Sequence, residues 1–238
     1  MPLAGKQHTF VGRTVQGKQI FGSIVTDGLL LYLDANNNLS YNGSGSTWYD
    51  LIAPSNNIAL VNSPTFTSST PKYFSFNGSN QYGTGGGITV PQATYTKCVW
   101  FKLSSYSTNN NLVSSQAGGH FMFFGATNKL HCGHTNWINY GLTFLSYPSA
   151  TTFNLDTWYF AVLTFDTLNG MKLYINDNLD STYTQKTIHS GDESTDIASF
   201  GGDNLLNGAI SMVMTYNRAI SASEVSRNYQ ITKSLFGY

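Results

Sequence analysis

Apolar residues in this chain come in short runs rather than in helical rows. Leu29-Leu30-Leu31-Tyr32-Leu33 is apolar on both faces, the pattern of a central strand, and Trp158 to Phe165 reads the same way. Cys98 to Leu103 and Ala209 to Tyr216 are further strands. Other segments alternate. Lys72 to Phe76 does so and stops at Asn77-Gly78, a strong turn pair. After the turn at Asn169-Gly170, residues Met171, Leu173 and Ile175 alternate with Lys172, Tyr174 and Asn176. That pattern predicts one face on the core and the other in solvent. Phe121 to Phe124 and Lys129 to Cys132 flank a turn around Gly125 and Asn128 and predict a second hairpin.

One segment reads as helix. Ser221-Ala222-Ser223-Glu224 fits a capping box, in which the Ser221 hydroxyl accepts from the Glu224 amide and the Glu224 carboxylate reaches back. The helix is expected to run to about Tyr229, with a cap contributing about 1 kcal/mol. Roughly a dozen short strands and one terminal helix predict an all-β fold: an antiparallel two-sheet jelly-roll sandwich. The first 26 residues break the pattern. Lys6, Arg13 and Lys18 meet no acidic residue before Asp27, and Gly5, Gly12, Gly17 and Gly22 interrupt any period. Residues 1–26 therefore read as an extended assembly arm that lies on a neighbouring subunit, and 27–238 as the sandwich. A frayed terminus is the plainer alternative.

Composition narrows the function classes. A chain of 238 residues suits a single sandwich. Only 10% of it is charged, so Asn, Ser, Thr and Gly supply the polarity, as turn-rich β folds require. Zero formal net charge argues against a nucleic-acid partner, which needs a basic face. No apolar run approaches the roughly 18 residues of a membrane span. Met1 to Gly5 carries no apolar signal-peptide core. Cys98 and Cys132 are expected as free thiols, with one bridge as the alternative.

Three blocks resemble the concanavalin A-like lectin/glucanase superfamily in its laminin-G-like branch. The first is Leu30-Leu31-Tyr32-Leu33-Asp34-Ala35, continuing through Ser40-Tyr41, Gly43, Gly45 and Trp48-Tyr49-Asp50-Leu51. The second is Phe76-Asn77-Gly78-Ser79-Asn80-Gln81-Tyr82. The third runs from Trp158-Tyr159 to Asp166, through Lys172 to Asn176, to Gly208–Val213 and Tyr216-Asn217-Arg218-Ala219-Ile220-Ser221 with Glu224-Val225. The resemblance covers roughly residues 28–230 and implies the sandwich fold. The first block and the Tyr-Asn-Arg-Ala motif are also similar to tailed-phage virion proteins. Two departures stand out: Ile210-Ser211-Met212-Val213 lacks the acidic pair of that strand, and Ile52-Ala53-Pro54-Ser55 replaces the usual turn after Leu51.

Candidate chemistry is sparse. Glycosidases need two carboxylates facing one bond, and the chain has two glutamates: Glu224 in the helix cap and Glu193 in a polar stretch that also holds Asp192 and Asp196. An enzyme is not expected. His131 and His134 would point to opposite faces of a strand, with only distant His120 as a further ligand, and nothing marks Cys132 as a nucleophile. Asp34, Asn36, Asn37 and Asp50 could hold Ca²⁺; the competing reading has Asp34 and Asp50 capping turns, with no cofactor. Trp137 and Tyr140, with Asn136 and Asn139 beside them in the polar Thr135–Gly141 segment, are candidates to bind a sugar ring. The expectation is a non-enzymatic phage virion protein, capsid-decorating or tail-associated. It would assemble in the host cytoplasm, sit on the virion surface, form a homo-oligomer and contact neighbouring virion proteins. The alternative is an adhesin or receptor-binding lectin for host glycans.

Overall fold

The computed structural model describes residues 23–85, 88, 90–106, 110–115, 119–125, 127–138, 141–188 and 195–238. At 14–15, 18–19, 136–138 and 141–144 the backbone alone is described. The fold is the expected antiparallel sandwich. Its larger sheet has eight strands. From one edge they run Asn178–Tyr183, Gly170–Ile175, Tyr159–Asp166, Thr94–Leu103, Asn207–Tyr216, Tyr73–Asn77 and Thr65–Thr67. The eighth, Leu29–Asp34, pairs with the far half of Asn207–Tyr216.

That central strand is shared because of a bulge. Residues 207–210 pair with Tyr73–Asn77, and the register slips between Ile210 and Met212 before pairing with Leu29–Asp34 begins. Ser211 sits at the slip and ties both neighbours together. Its carbonyl accepts from the Ala35 N–H at 2.9 Å, and its hydroxyl donates to the Lys72 carbonyl at 2.6 Å. The same hydroxyl accepts from Asn36 Nδ2 at 3.0 Å. A bulge leaves one residue outside the ladder, free for such a role.

Two smaller sheets face the large one. A five-stranded sheet joins Val113–Ser115, Thr195–Ile197, Tyr82–Gly85, Ile58–Val61 and Thr47–Trp48. A four-stranded sheet joins Asn110–Asn111, His120–Phe124, Leu130–Ile138 and Gly141–Pro148. The core between the layers includes Leu31, Leu33, Trp48, Phe74, Val99, Phe101, Leu163 and Val213.

A second core lies on the other side of the large sheet, under the helix Ala222–Thr232. There Cys98, Trp100, Phe160, Tyr174, Met214 and Tyr216 meet Val225, Tyr229 and Phe236. Trp100 stacks on Phe236 at 3.9 Å and donates its indole N–H to Thr232 Oγ1 at 2.8 Å. The capping box is formed as expected, but the helix continues past Tyr229 to Thr232. This second layer corrects one expectation. On the face of Gly170–Ile175 expected in solvent, Tyr174 is buried under the helix layer, while Lys172 on the same face stays partly exposed. The two cores also separate the thiols: Cys98 lies under the helix and Cys132 between the sheets, and both are free. Burial pushes both thiols up, which keeps them unreactive.

Packing starts earlier than Asp27. Ile24 and Val25 are buried in the helix-side core. The Val25 N–H donates to Asn228 Oδ1 at 2.8 Å, and the Tyr216 hydroxyl donates to the Val25 carbonyl at 2.9 Å. Arg227 donates to the Ser23 carbonyl. Residues 23–26, read as the end of the arm, are therefore part of the sandwich. Upstream, Thr14–Val15 pairs with Lys18–Gln19, which puts Lys18 on a short strand. Lys6 and Arg13 lie outside the described residues.

Candidate functional site

The first block of the resemblance is a web of turns around Tyr32. The Tyr32 N–H donates to Asp50 Oδ1 at 2.8 Å, and its hydroxyl donates to Asp34 Oδ2 at 3.2 Å. Asp50 also accepts from the amides of Ile52 and Ala53, and Asp34 from the amide and side chain of Asn36. Two carboxylates fixed by backbone donors in this way do what turn caps do. Among the described residues no group of three or more His, Cys, Asp or Glu side chains is arranged to hold a metal ion.

The other carboxylates hold loops as well. Asp180 accepts from the amides of Ala150 and Thr151, and Asp196 from the hydroxyls of Thr84 and Ser199. Glu224 receives two hydrogen bonds from the Arg218 guanidinium, at 2.6 and 2.9 Å. Those bonds, helped by the Ser221 amide and hydroxyl, bring its carboxyl down to about 2. Asp192 and Glu193 lie outside the described residues.

The four-stranded sheet carries the aromatic chemistry. His131 and His134 do fall on opposite faces. His134 points inward, where Nδ1 is 3.2 Å from the Tyr95 hydroxyl and Nε2 is 2.7 Å from the Thr187 carbonyl. The register puts His120 directly across from His134. The remote third histidine is thus a neighbour, although the ring nitrogens of His134 are already engaged.

The outward row is different in character. His131 is half-buried and stacks on Phe123 at 5.2 Å, and its Nδ1 lies 3.1 Å from the Ser146 hydroxyl. Phe123 packs on Phe121 at 5.6 Å. Phe121 pairs with Gly133, where a Cβ would stand 3.0 Å from the Phe121 ring and collide with the Leu145 carbonyl. Only glycine lets that ring lie close against the sheet. Burial, then Lys129, lowers the His131 imidazole below its ordinary value, so it is neutral at pH 7.

Of the polar segment Thr135–Gly141, the described residues 135–138 and 141 lie on strands. Asn136 and Trp137 lie on the strand Leu130–Ile138, opposite Thr143 and Leu142. Polar residues survive there because eight consecutive register pairs with Gly141–Pro148 hold the hairpin. Trp137 takes a register position in the row of His131, Gly133 and Thr135, and Asn136 one in the row of Cys132 and His134. Asn139 and Tyr140 lie outside the described residues. Sequence reasoning missed Phe123 and Ser146; the only signal for them was cross-strand pairing, which no local pattern reveals.

Similarity to known proteins agrees with this architecture. Over 97% of its length the chain superposes on a Trypanosoma rangeli sialidase solved with the inhibitor DANA, with a TM-score of 0.65 and 14% identity. It covers 36% of that protein. The receptor-binding domain of botulinum neurotoxin C/D mosaic serotype matches 86% of the chain with a TM-score of 0.63 and 14% identity. That of botulinum neurotoxin type G matches the same share at 0.62 and 16%, and the chain spans 51% of each. At such identities these likenesses show the fold alone. No curated protein matches the sequence. The laminin-G family described as concanavalin A-like lectin/glucanases matches residues 77–226. With more than half its length matched, the chain belongs to the concanavalin A-like lectin/glucanase superfamily.

Proposed function

We propose that this protein is a non-catalytic, lectin-like recognition module that binds glycans on the outward face of its four-stranded sheet. The observation that carries the reading is the row Phe123–His131–Ser146, with Trp137 in register with it. An aromatic face stacks on the apolar side of a pyranose, while a neutral imidazole and a hydroxyl can hydrogen-bond its hydroxyls. The carboxylates described hold turns, which fits recognition rather than hydrolysis. The neurotoxin domains, which by name bind receptors on the same fold, lend the reading support.

We place the module on the surface of a tailed-phage virion, as a decorating or tail-associated component. This setting rests on the Asp34–Leu51 block and the Tyr216–Ala219 motif. Each hydrogen bond to a sugar contributes only about 1 kcal/mol net, so one copy binds weakly. Many copies on a particle raise the apparent affinity by about 10²–10⁴.

The test is a glycan array probed with wild type, Phe123→Ala and Trp137→Ala. Either variant should lose about tenfold in affinity or more while the secondary structure is kept. Undiminished binding in both would move the site elsewhere, and release of reducing sugar by the wild type would overturn the non-catalytic reading.

A further inference from the structure

On the opposite side of the molecule, the helix does not cover the whole outer face of the large sheet. Beside its first turn lies a cleft of about 260 Å³. Thr164, Asp166, Asn169, Gly170, Lys172 and Tyr174 of one hairpin form one wall, and residues Ala219 to Ala222 form the other. Cross-strand register explains the convergence: Thr164 pairs with Lys172 and Asp166 with Gly170, so these side chains rise from one face.

Thr164 and Tyr174 are only 4% and 6% exposed, yet neither hydroxyl makes a hydrogen bond among the described residues, and both oxygens open onto the cleft rather than being sealed inside the protein. The partly buried Lys172 ammonium and the exposed Asn169 Oδ1 make no hydrogen bond among the described residues either. The cleft thus offers polar groups that are free to bond a ligand. Asp166 is held as an acceptor by the amides of Leu168 and Asn169. Burial pushes its carboxyl up, but the Asn169 and Leu168 hydrogen bonds and the nearby Lys172 charge outweigh this, so it stays ionised.

We propose that this cleft is a second ligand site, which takes a single neutral polyhydroxylated ring such as a monosaccharide or a cyclitol. Charge selects the class. Asp166 would repel an anion and Lys172 a cation, whereas a ring of hydroxyls can donate to Asp166 and Asn169 Oδ1 and accept from Lys172, Thr164 and Tyr174. Size selects one ring, because the volume falls below the roughly 300–1,000 Å³ of pockets that hold larger ligands. Gly170 makes the turn at φ +80°, and a Cβ there would collide with the Tyr183 carbonyl of the next strand. This site is independent of the sheet-face reading and lies on the other outer face.

The experiment is an amide chemical-shift titration of the intact protein with glucose, galactose, mannose, N-acetylglucosamine and myo-inositol, each alone, and with inorganic phosphate and tetramethylammonium as charged probes. At least one neutral ring should shift amides within 164–174 and 219–222. Thr164→Val and Tyr174→Phe should each weaken that binding about tenfold or more and melt no lower than wild type, since their hydroxyls make no hydrogen bond to the protein. Shifts from the charged probes alone would overturn the ligand class. Silence of these amides with every probe, or a lowered melting temperature in both variants, would overturn the site. Shifts confined to 121–148 would support the sheet-face site and count against this one, so the two readings fail separately.

Discussion

The two ends of the space between the sheets are built from different materials. The inward row of Thr94–Leu103 runs Tyr95, Lys97, Val99, Phe101 and Leu103 and passes from one end to the other. At the Leu103 end, Phe101 packs on Phe124 and Phe153 at 5.5 and 5.7 Å. Phe74 nearby contacts Tyr41, Trp48 and Phe66 at 4.7, 4.8 and 5.3 Å. At the Tyr95 end, the fully buried Lys97 pairs with Thr215 and donates to the Val113 carbonyl at 2.9 Å. Tyr95, His120, His134 and Ser115 crowd the same region. One end is held by area removed from water, which tolerates small misfits. The other depends on directional bonds, each of which costs free energy if left unmade.

The sharpest break of this contrast is at Phe74. Phe74→Ala should destabilise by about 3–5 kcal/mol, because three rings lose their common neighbour and the cavity cannot fully close. Tyr95→Phe at the other end removes only one hydroxyl and should cost much less. Urea unfolding compares them, and a larger loss at Tyr95 would invert the picture.

Lys97 is next in size, with the opposite sign. Burial lowers its ammonium well below the ordinary value, with only the Cys132 thiol acting against this. Lys97→Met should stabilise by about 1–4 kcal/mol, less whatever the orphaned Val113 carbonyl gives back. The pH dependence identifies the cause. Below about 10.5 the unfolded chain takes up a proton that the folded lysine resists, so wild type loses stability as pH falls. The advantage of Lys97→Met should therefore grow toward acid and shrink toward alkaline pH. A pH-independent difference would show that packing, not ionisation, is responsible.

Glu224 lies off both ends and gives the comparison a baseline. Glu224→Gln should cost about 1 kcal/mol at neutral pH, through the lost charge in the cap and the Arg218 pair. Its carboxyl stands at about 2 instead of 4.5, so this contribution is full above pH 4.5 and fades as pH falls toward 2. Thermal melts across pH should separate this acidic window from the broader Lys97 one.

What could be read from the sequence was what local chemistry encodes. Runs apolar on both faces, Asn-Gly turns and the Ser221–Glu224 cap are set by neighbours a few residues away. What could not be read depends on register or on distant partners. Ile24 and Val25 look like part of a polar arm until Asn228 is brought against them. Trp137 looks like a loop residue until Leu142 pairs with it. The face of Tyr174 looks exposed until the helix layer arrives, and the cleft beside it joins residues more than fifty positions apart. The aromatic row of the four-stranded sheet was hidden because Phe121-Met122-Phe123-Phe124 is apolar throughout, so no alternation showed which rings face out.

The smallest expected effect tests the polar end most directly. The Thr215 hydroxyl is buried and has no hydrogen-bond partner among the described residues, and the Thr195 hydroxyl in the facing sheet is in the same state. A hydroxyl left dry in this way opposes folding, and valine has nearly its shape without the polar atom. Thr215→Val should therefore leave the fold unchanged and raise stability by about 0.5–1 kcal/mol, whereas an equally conservative trim at the aromatic end, such as Ile58→Val, should lower it by about 0.5–1.5 kcal/mol. Opposite signs for two one-group changes would establish that the ends differ in kind. If Thr215→Val is destabilising, the hydroxyl is bonded in solution, through a buried water that Lys97 or Thr195 could share, and the polar end is a satisfied network rather than a strained one.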